Sequence, residues 1–193
     1  FYTIRKEQLI YNNKINFVKK ASTVKPEWIK TQDLKEGDYL GYGFSDKICE
    51  NNLPDKNIAR LLGYYLSDGY LSKAKNKKPD GISFTFNKTE PQYIEEVSNL
   101  LKKNSNNKVS IFSDYRSNGI RVELYDVDFI RNKFIKYFNL DKTLKPEVLL
   151  WPKELQLELL GAFINGDGFI YKGSSFIEIK NYELADQLCQ IAC

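Results

Sequence analysis

The hydrophobic and polar positions divide the chain into two parts with different patterns. In residues 1–44, short apolar stretches are separated by polar, turn-forming residues, which is typical of β-strands. Gly41, Gly43 and the polar stretch that follows them resemble a linker and place a domain boundary near residue 48. The first part is therefore predicted to be rich in β-structure, with strands at residues 2–5, 8–11 and 15–18 and a turn and strand at 34–40.

From residue 54 onward the apolar positions repeat first at helical and then at strand spacing. Apolar residues share one helical face up to Leu66 and predict a helix that ends at Gly69. The elements predicted next are strands at 70–74 and 82–88, a helix from a capping box at 89–92 to about 103, strands at 109–113 and 120–125, and a helix at 127–138. The same order then restarts, with a helix from 151 to 168, strands at 169–171 and 175–180, and a helix at 182–192.

This restart predicts an α+β domain over residues 49–193 that contains an internal duplication. Repeat one covers about residues 54–145, and repeat two covers about residues 146–193 and is incomplete.

Two segments at the start of the repeats share one design, LLGYYLSDG at 61–69 and LGAFINGDG at 160–168. Each carries two small residues four positions apart, Gly63 and Ser67 in the first and Ala162 and Gly166 in the second. Residues four apart lie on the same helix face. A face of small side chains lets two helices approach more closely than the usual separation of about 8–10 Å. We therefore predict that the two helices pack closely against each other, and if they run in the same direction their packing would bring Asp68 and Asp167 together.

Both segments end in Asp-Gly. Gly69 and Gly168 are predicted to adopt the left-handed conformation that often stops a helix. Asp68 and Asp167 are unfavourable there, because a carboxylate at the negative end of a helix costs about 0.3–1 kcal/mol and two neighbouring carboxylates repel each other. A bound divalent cation would remove both penalties, and oxygen ligands without His or Cys favour Mg²⁺. One Asp-Gly would be ordinary turn chemistry, but two copies within a duplication favour a functional pair.

The paired motifs resemble those of the LAGLIDADG (dodecapeptide, DOD-type) homing endonucleases. The resemblance implies a duplicated αββαββα fold, here with a truncated second copy, and a monomer with pseudo-twofold internal symmetry. It also implies a double-stranded DNA target and two or three Mg²⁺ ions shared by Asp68 and Asp167, with Gly69 and Gly168 in the metal site. Leu66 and Asn165 stand where the family consensus has an Asp, a position at which the family varies.

The segment at 142–146 resembles the lysine-proline stretch that precedes the second motif helix in intein relatives, where a lysine lies beside the active site. The resemblance makes Lys142 the first candidate for that lysine and Lys145 the second, and a solvated loop lysine explains either one equally well.

The segment at 28–40 resembles the Hint (Hedgehog/intein) splicing domain, and residues 1–3 resemble the strand after its conserved histidine. The resemblance implies that residues 1–48 belong to a splicing domain inserted in a host protein (extein). Because the chain has no Met and its second repeat stops early, we expect an internal segment of an intein that cannot splice alone.

Two predicted strands alternate apolar and polar side chains, so that their polar faces could read base edges in the major groove. An ordinary solvent-exposed sheet shows the same alternation. The candidate DNA-binding residues are Lys73, Lys75, Lys77, Lys78 and Lys88 for phosphates and Ser83, Thr85, Asn87, Arg116, Arg121 and Glu123 for other contacts.

The composition narrows the possible chemistry. The 193 residues include no histidine, which excludes Ser-His-Asp triads, Cys-His pairs, His-ligated zinc and HNH-type centres. A net charge of +4 is compatible with nucleic-acid binding without arguing for it. Three cysteines without metal-ligand spacing and the lack of a signal peptide or membrane span predict an intracellular, cytoplasmic protein with no membrane partner, or a nuclear or organellar one in a eukaryotic or viral host.

These observations favour a site-specific, Mg²⁺-dependent DNA endonuclease embedded in a self-splicing intein. The alternative is a non-cleaving nucleic-acid-binding module of the same fold, maturase-like or regulatory, although the two Asp residues count against it. A splicing element is the third possibility for the parent protein.

Overall fold

The computed structural model describes residues 2–5, 25–40, 48–49, 51–73, 78–113 and 118–192. It divides into two compact units, an amino-terminal unit (Phe1–Asp46) and a carboxy-terminal unit (Lys47–Cys193). The strands predicted at 8–11 and 15–18 and the candidate residues Lys75, Lys77 and Arg116 lie outside the described residues.

The amino-terminal unit contains a small antiparallel sheet. Strand β1 (Tyr2–Ile4) lies between β2 (Glu27–Trp28) and β3 (Tyr39–Leu40). The turn before β3 is held by the Asp38 carboxylate, which accepts hydrogen bonds from the Arg5 guanidinium at 2.7 Å and the Lys35 backbone N–H at 2.9 Å. Gly37 has a φ of 93°, which explains the Gly-Asp pair at this turn. The assignment of this unit to a splicing domain stays a prediction.

The carboxy-terminal unit begins with the element order αββαββ that the apolar pattern predicts. The elements are α1 (Lys56–Asp68), β4 (Gly69–Lys73), β5 (Pro79–Asn87), α2 (Pro91–Asn104), β6 (Val109–Ser113) and β7 (Gly119–Tyr125). The four strands form one antiparallel sheet in the order β4-β5-β7-β6. Its apolar face, with Phe84, Phe86 and Val122 almost fully buried, belongs to the same core as α1.

The helix predicted at 127–138 departs from a regular α-helix. Residues Phe129–Phe134 are π-helical, and Ile135–Tyr137 form a 3₁₀ turn. The wider π turn accompanies burial of Phe129, Ile130 and Phe134, with Phe134 packed edge-on against Tyr65 of α1. Periodicity does not separate these winding types, because all three bury apolar residues three to five positions apart.

The second repeat consists of a 3₁₀ turn (Pro146–Leu150), α3 (Lys153–Asp167), β8 (Gly168–Tyr171), β9 (Ser174–Ile177) and α4 (Tyr182–Ala192). Strand β9 ends before the predicted residue 180. Strands β8 and β9 form an antiparallel hairpin in which Phe169 opposes Phe176. In the described part of the chain, no helix has the length and apolar character required to cross a membrane.

Helix α2 begins differently from the predicted capping box. Glu90, rather than Thr89, is the N-cap residue, and Pro91 is the first helical residue. The Glu90 carboxylate reaches back to accept the Asn87 backbone N–H at 2.9 Å, and the Thr89 hydroxyl donates to Asn87 Oδ1 at 3.0 Å. The turn that ends β5 therefore engages the Thr89 side chain that the capping box would use.

Candidate active site

Helices α1 and α3 pack along their small residues, as the spacing predicts. A Cβ atom at Gly63 would overlap the carbonyl oxygen of Leu159 and would lie 2.8 Å from the Cβ of Ala162. A Cβ atom at Gly166 would overlap the Ser67 hydroxyl and would lie 2.7 Å from its Cβ. The two helix backbones are therefore in direct contact, and side chains larger than those present would separate them.

The two helices run in the same direction. Near their amino-terminal ends Arg60 Nη1 donates to Glu158 Oε2 at 3.2 Å, and near their carboxy-terminal ends Gly166 lies against Ser67. The terminal residue of α1, Asp68, has its Oδ2 at 2.5 Å from the position of a Cβ at Gly166. The packing therefore brings Asp68 and Asp167 to the same end of the helix pair.

Gly69 and Gly168 correct the prediction of left-handed helix caps. Their φ angles are −87° and −89°, so both residues are extended. Glycine is needed for space instead, because a Cβ at Gly69 would lie 2.5 Å from the Cα of Tyr65, and one at Gly168 would overlap the carbonyl oxygen of Ile164. At each glycine the chain therefore leaves the helix as an extended strand that passes close to the backbone of the last helical turn. The part of these glycines in metal binding stays a prediction.

Burial and mutual repulsion make the Asp pair electrostatically unfavourable without a cation. Burial, and then the charge of Asp167, raise the pKa of Asp68 from an ordinary value of 3.8 to about 6. Partial burial also raises the pKa of Asp167. These shifts mean that at neutral pH the fold holds two carboxylates whose charged forms it disfavours, which is the condition that a bound cation relieves.

Lys142 lies beside this pair and interacts electrostatically with both carboxylates. Its Nζ donates to the backbone carbonyls of Leu66 and Ser67 at 3.1 and 3.2 Å, in the last turn of α1. Burial lowers the pKa of Lys142, and the charges of Asp167 and Asp68 oppose that shift. Lys142 therefore places a positive charge at the carboxy-terminal end of α1, beside both carboxylates.

The loop that carries Lys142 is held in a tight, strained turn. Lys142 itself has a φ of 69°, a conformation that non-glycine residues rarely adopt. The Asp141 side chain accepts hydrogen bonds from the N–H of Thr143 at 3.0 Å and from its hydroxyl at 2.7 Å. The buried Gln187 of α4 binds both backbone groups of Leu144, since its Oε1 accepts the N–H at 2.7 Å and its Nε2 donates to the carbonyl at 2.9 Å. Helix α4 of repeat two therefore holds the loop whose Lys142 binds the carboxy-terminal end of α1.

Lys145 lies in a different environment. It lines an open cleft of the carboxy-terminal unit together with Pro79, Phe138 and Glu147, and its backbone N–H donates to the Tyr137 carbonyl at 2.9 Å. Of the two candidate lysines, the structure brings Lys142 to the Asp pair and places Lys145 elsewhere.

The described candidate base-reading residues, which are those on β5 and β7, share one face of the four-stranded sheet. Ser83 is opposite Glu123, and Thr85 is opposite Arg121, in the register between β5 and β7. Thr85, Asn87 and Arg121 are exposed, whereas Ser83 and Glu123 are largely covered. The lysines Lys78 and Lys88 are exposed at the two ends of β5, and the backbone of Lys73 ends β4.

A polar network at the helix interface was not predicted from the sequence. Arg60 forms ion pairs with Glu96 of α2 and Glu158 of α3, and the Tyr64 hydroxyl donates to Glu96 at 2.7 Å. Asn165 completes it by donating to the Tyr64 hydroxyl at 3.2 Å. Arg60 is the only charged residue in the interior of α1, and a charged residue at that place in the sequence indicates that it needs a partner of opposite charge.

The donors at the helix ends suit a hard divalent cation. Both side chains contribute oxygen only, and the chain contains no histidine, which favours Mg²⁺ or a similar ion over zinc. Across the described residues, no cluster of three or more His, Cys, Asp or Glu side chains could hold a metal ion. Asp68 and Asp167 are therefore the side chains that fit such a cation, because its charge would offset the desolvation of both carboxylates and the repulsion between them.

The raised pKa of Asp68 predicts how stability depends on pH in the absence of metal. Because the folded state binds the Asp68 proton more tightly than the unfolded state, the contribution of Asp68 to the free energy of unfolding should fall as pH rises from 3.8 to about 6 and then level off. The carboxylates of Glu96 and Asp126, whose pKa values are lowered, contribute in the opposite sense. After discounting for solvent screening, we expect a loss of about 1–2 kcal/mol from Asp68. Chemical unfolding of the unsubstituted protein and of Asp68→Asn in a chelator should isolate the Asp68 contribution as the difference between their slopes, and the variant should be more stable at pH 8. An unchanged slope in the variant would contradict the burial of Asp68.

Comparison with known proteins finds relatives for this chain. A family model described as a LAGLIDADG-like domain matches residues 55–139. The uncharacterized protein MJ0043 of Methanocaldococcus jannaschii is 30% identical over 86% of this chain and 24% of that protein. The SufBD family iron-sulfur cluster assembly protein Mb1496 of Mycobacterium bovis is 27% identical over 86% of this chain and 19% of that protein. A replication factor C small subunit of M. jannaschii is 30% identical over 84% of this chain and 8% of that protein. The chain therefore spans about a quarter or less of the length of these relatives.

Among solved structures, the fold is similar to that of the homing endonuclease I-DmoI. Its structure with target DNA and manganese gives a TM-score of 0.53 at 17% identity, over 70% of this chain and 73% of that chain. Its structure with target DNA and magnesium gives 0.51 at 17% identity, over 71% and 75%. At this identity the likeness establishes the fold. Residues 55–139 therefore match a LAGLIDADG-like domain, and the chain has an α+β fold resembling that of a LAGLIDADG homing endonuclease.

Proposed function

We propose that this chain is a site-specific DNA endonuclease that hydrolyses phosphodiester bonds of double-stranded DNA with Mg²⁺ and is embedded in a self-splicing intein. The observation that carries the proposal is the meeting of Asp68, Asp167 and Lys142 at one end of a closely packed helix pair. An Asp pair whose charged forms are disfavoured has no evident structural benefit to the fold, whereas it suits a site that acts on phosphate.

Each residue of the site has a defined task in this proposal. Asp68 and Asp167 would hold the cations, whose chemistry when bound would be to activate a water molecule and to stabilise the charge on the leaving oxygen. Lys142 supplies a positive charge next to the Asp pair, where a scissile phosphate would bring further negative charge. The backbone contact at Gly63 and Gly166 sets the separation of the two carboxylates, and each carboxylate is proposed to serve the cleavage of one DNA strand.

DNA binding is proposed for the sheet of repeat one. Strand β4 begins at Gly69, directly after Asp68, and its neighbour β5 carries Thr85 and Asn87 on the exposed face. A duplex lying along this face would place its backbone near the helix ends. The exposed Lys78 and Lys88 are proposed to contact phosphates, which fits the net charge of +4.

Embedding in an intein is proposed because of the kinds of protein that share the segment. Most of this chain matches a small part of proteins named for iron-sulfur cluster assembly and for DNA replication. Those two functions have no chemistry in common, and a mobile element inserted in unrelated hosts accounts for one segment occurring in both. Mass spectrometry of the full-length protein expressed in bacteria tests this part, since splicing would release a ligated host product that lacks the chain.

The nuclease proposal is tested by incubating the full-length protein with plasmids that carry a randomised insert. We expect cleavage at one site in Mg²⁺ and none in a chelator, with sequencing of the ends locating the cut. Sequence-selective binding without cleavage, whether in Mg²⁺ or Mn²⁺, would favour the non-cleaving alternative instead.

A further inference from the structure

Arg121 is held in one orientation on the exposed face of the sheet. Its Nε donates to Oε1 of Glu123, two residues along the same strand, at 2.7 Å. Its guanidinium also lies 5.6 Å from the ring centre of Phe112, which opposes Arg121 on β6. The Arg121 side chain nevertheless remains 54% exposed, whereas that of Glu123 is 10% exposed. The guanidinium is therefore fixed from two sides and accessible on the rest of its surface.

The accessible part of this guanidinium matches one base in particular. Because Glu123 occupies the Nε, the two terminal nitrogens of Arg121 form a planar fork of N–H donors. Guanine presents two acceptors, N7 and O6, side by side in the major groove, and no other base presents such a pair. A side chain that is already oriented also loses less conformational entropy when it binds.

The charge balance favours a base edge over a phosphate. The carboxylate of Glu123 cancels the charge of Arg121 at 2.7 Å, so the pair attracts phosphate less than a free cation does. A phosphate brought to the same place would also approach the Glu123 carboxylate. The neutral acceptors of a base do not meet this repulsion. Lys88, exposed at the end of β5, resembles a phosphate contact more closely.

The position of Arg121 relates it to the proposed cut. Gly69, the first residue of β4, pairs with Phe84 of β5. The next residue of β5, Thr85, is therefore level with Asp68, and Thr85 in turn pairs with Arg121 of β7. Strand β7 is two strands away from β4, a distance of about 10 Å. A base read there would lie within about three base pairs of the phosphate at the Asp pair.

We propose that Arg121, oriented by Glu123 and Phe112, reads a guanine in the major groove of the target DNA close to the cut. This inference rests on the proposed function and adds a specific base and the residue that selects it. Arg121 touches the base, and Glu123 is a positioning residue that acts through Arg121.

The test measures binding rather than cleavage. The full-length protein carrying Asp68→Asn and Asp167→Asn, which keeps the DNA uncut, is used to select duplexes from a randomised pool that are then sequenced. In that background Arg121→Ala should reduce the preference for guanine at one position by roughly 5- to 150-fold and leave other positions unchanged. Arg121→Lys, which keeps the charge without the fork, should lose most of the same preference.

Variants at two other positions sharpen the test. Glu123→Gln retains an acceptor for Nε and should keep more of the guanine preference than Glu123→Ala, an order that a purely structural role for Glu123 would not produce. Lys88→Ala is the matched control, expected to weaken binding to every sequence and to reduce the salt dependence by about one ion.

Three outcomes would overturn the inference. If Arg121→Ala behaves as Lys88→Ala is expected to, Arg121 contacts phosphate. If the guanine preference survives in both Arg121 variants, another residue reads the base. If the unsubstituted protein binds no DNA selectively, the proposed function fails as well, which distinguishes that result from the other two.

Discussion

Gly63→Ala is expected to destabilise the protein by about 3 kcal/mol, even though alanine is the better helix former. The added Cβ would overlap the backbone carbonyl of Leu159, which cannot rotate away as a side chain would. The helices α1 and α3 would have to move apart, which would weaken the buried contacts of both. In a chain of this size we expect the Tm to fall by about 6–12 °C. Calorimetry in a chelator measures the effect without a contribution from metal binding.

Gly161→Ala is the matched control for that substitution. Gly161 is in the same helix pair, but the nearest atom to an added Cβ is Arg60 Nη1 at 4.0 Å. This variant should therefore follow helix propensity alone and stabilise the protein by about 0.5–1 kcal/mol. Equal effects of the two substitutions would mean that α1 and α3 do not approach as closely as described.

Asp68→Asn and Asp167→Asn are each expected to reduce double-strand cleavage by at least about 100-fold. Either change keeps the size of the side chain and removes one negative charge that would hold a cation. Because each carboxylate is proposed to serve one strand, the residual product should be nicked plasmid rather than linear plasmid. Gel electrophoresis of a supercoiled substrate separates the two products.

Asp128→Asn removes the same charge at an exposed position outside the helix pair and should leave cleavage unchanged. DNA binding of both active-site variants should persist, since their carboxylates would otherwise repel phosphate. Cleavage at the unsubstituted rate in both variants would exclude the Asp pair as the metal site. Circular dichroism verifies that the variants fold.

The helix pair is the part of the fold that the sequence predicted best. The spacing of Gly63, Ser67, Ala162 and Gly166 is a local, periodic signal, and it specified the close contact between the two helices. Their parallel direction, which brings Asp68 and Asp167 to one end, was considered from the sequence only as a condition. The alternation in β5 and β7 likewise predicted which side chains share the exposed face, because the register of a sheet preserves the two-residue period.

The remaining features depend on partners that are distant in sequence. Arg60 meets Glu158, and Asn165 meets Tyr64, across the helix interface, so no local pattern reports them. Lys142, rather than Lys145, lies beside the Asp pair because of a turn whose conformation is set by hydrogen bonds of Asn139, Asp141 and Thr143. The left-handed conformation predicted for Gly69 and Gly168 is wrong, because close contact with the preceding helical turn requires glycine just as a left-handed cap does.

The hydrogen bonds between Gln187 and Leu144 can form only after the ribosome has synthesised Gln187. The turn that presents Lys142 is complete only when a residue more than forty positions further along has joined it. At about 5–20 residues per second, a ribosome takes several seconds to make that stretch. A nascent chain can therefore form α1 and its sheet well before its lysine is secured. If the chain is a nuclease as proposed, its site would be complete only after Gln187 has been made, which would spare the host's DNA from partly made enzyme.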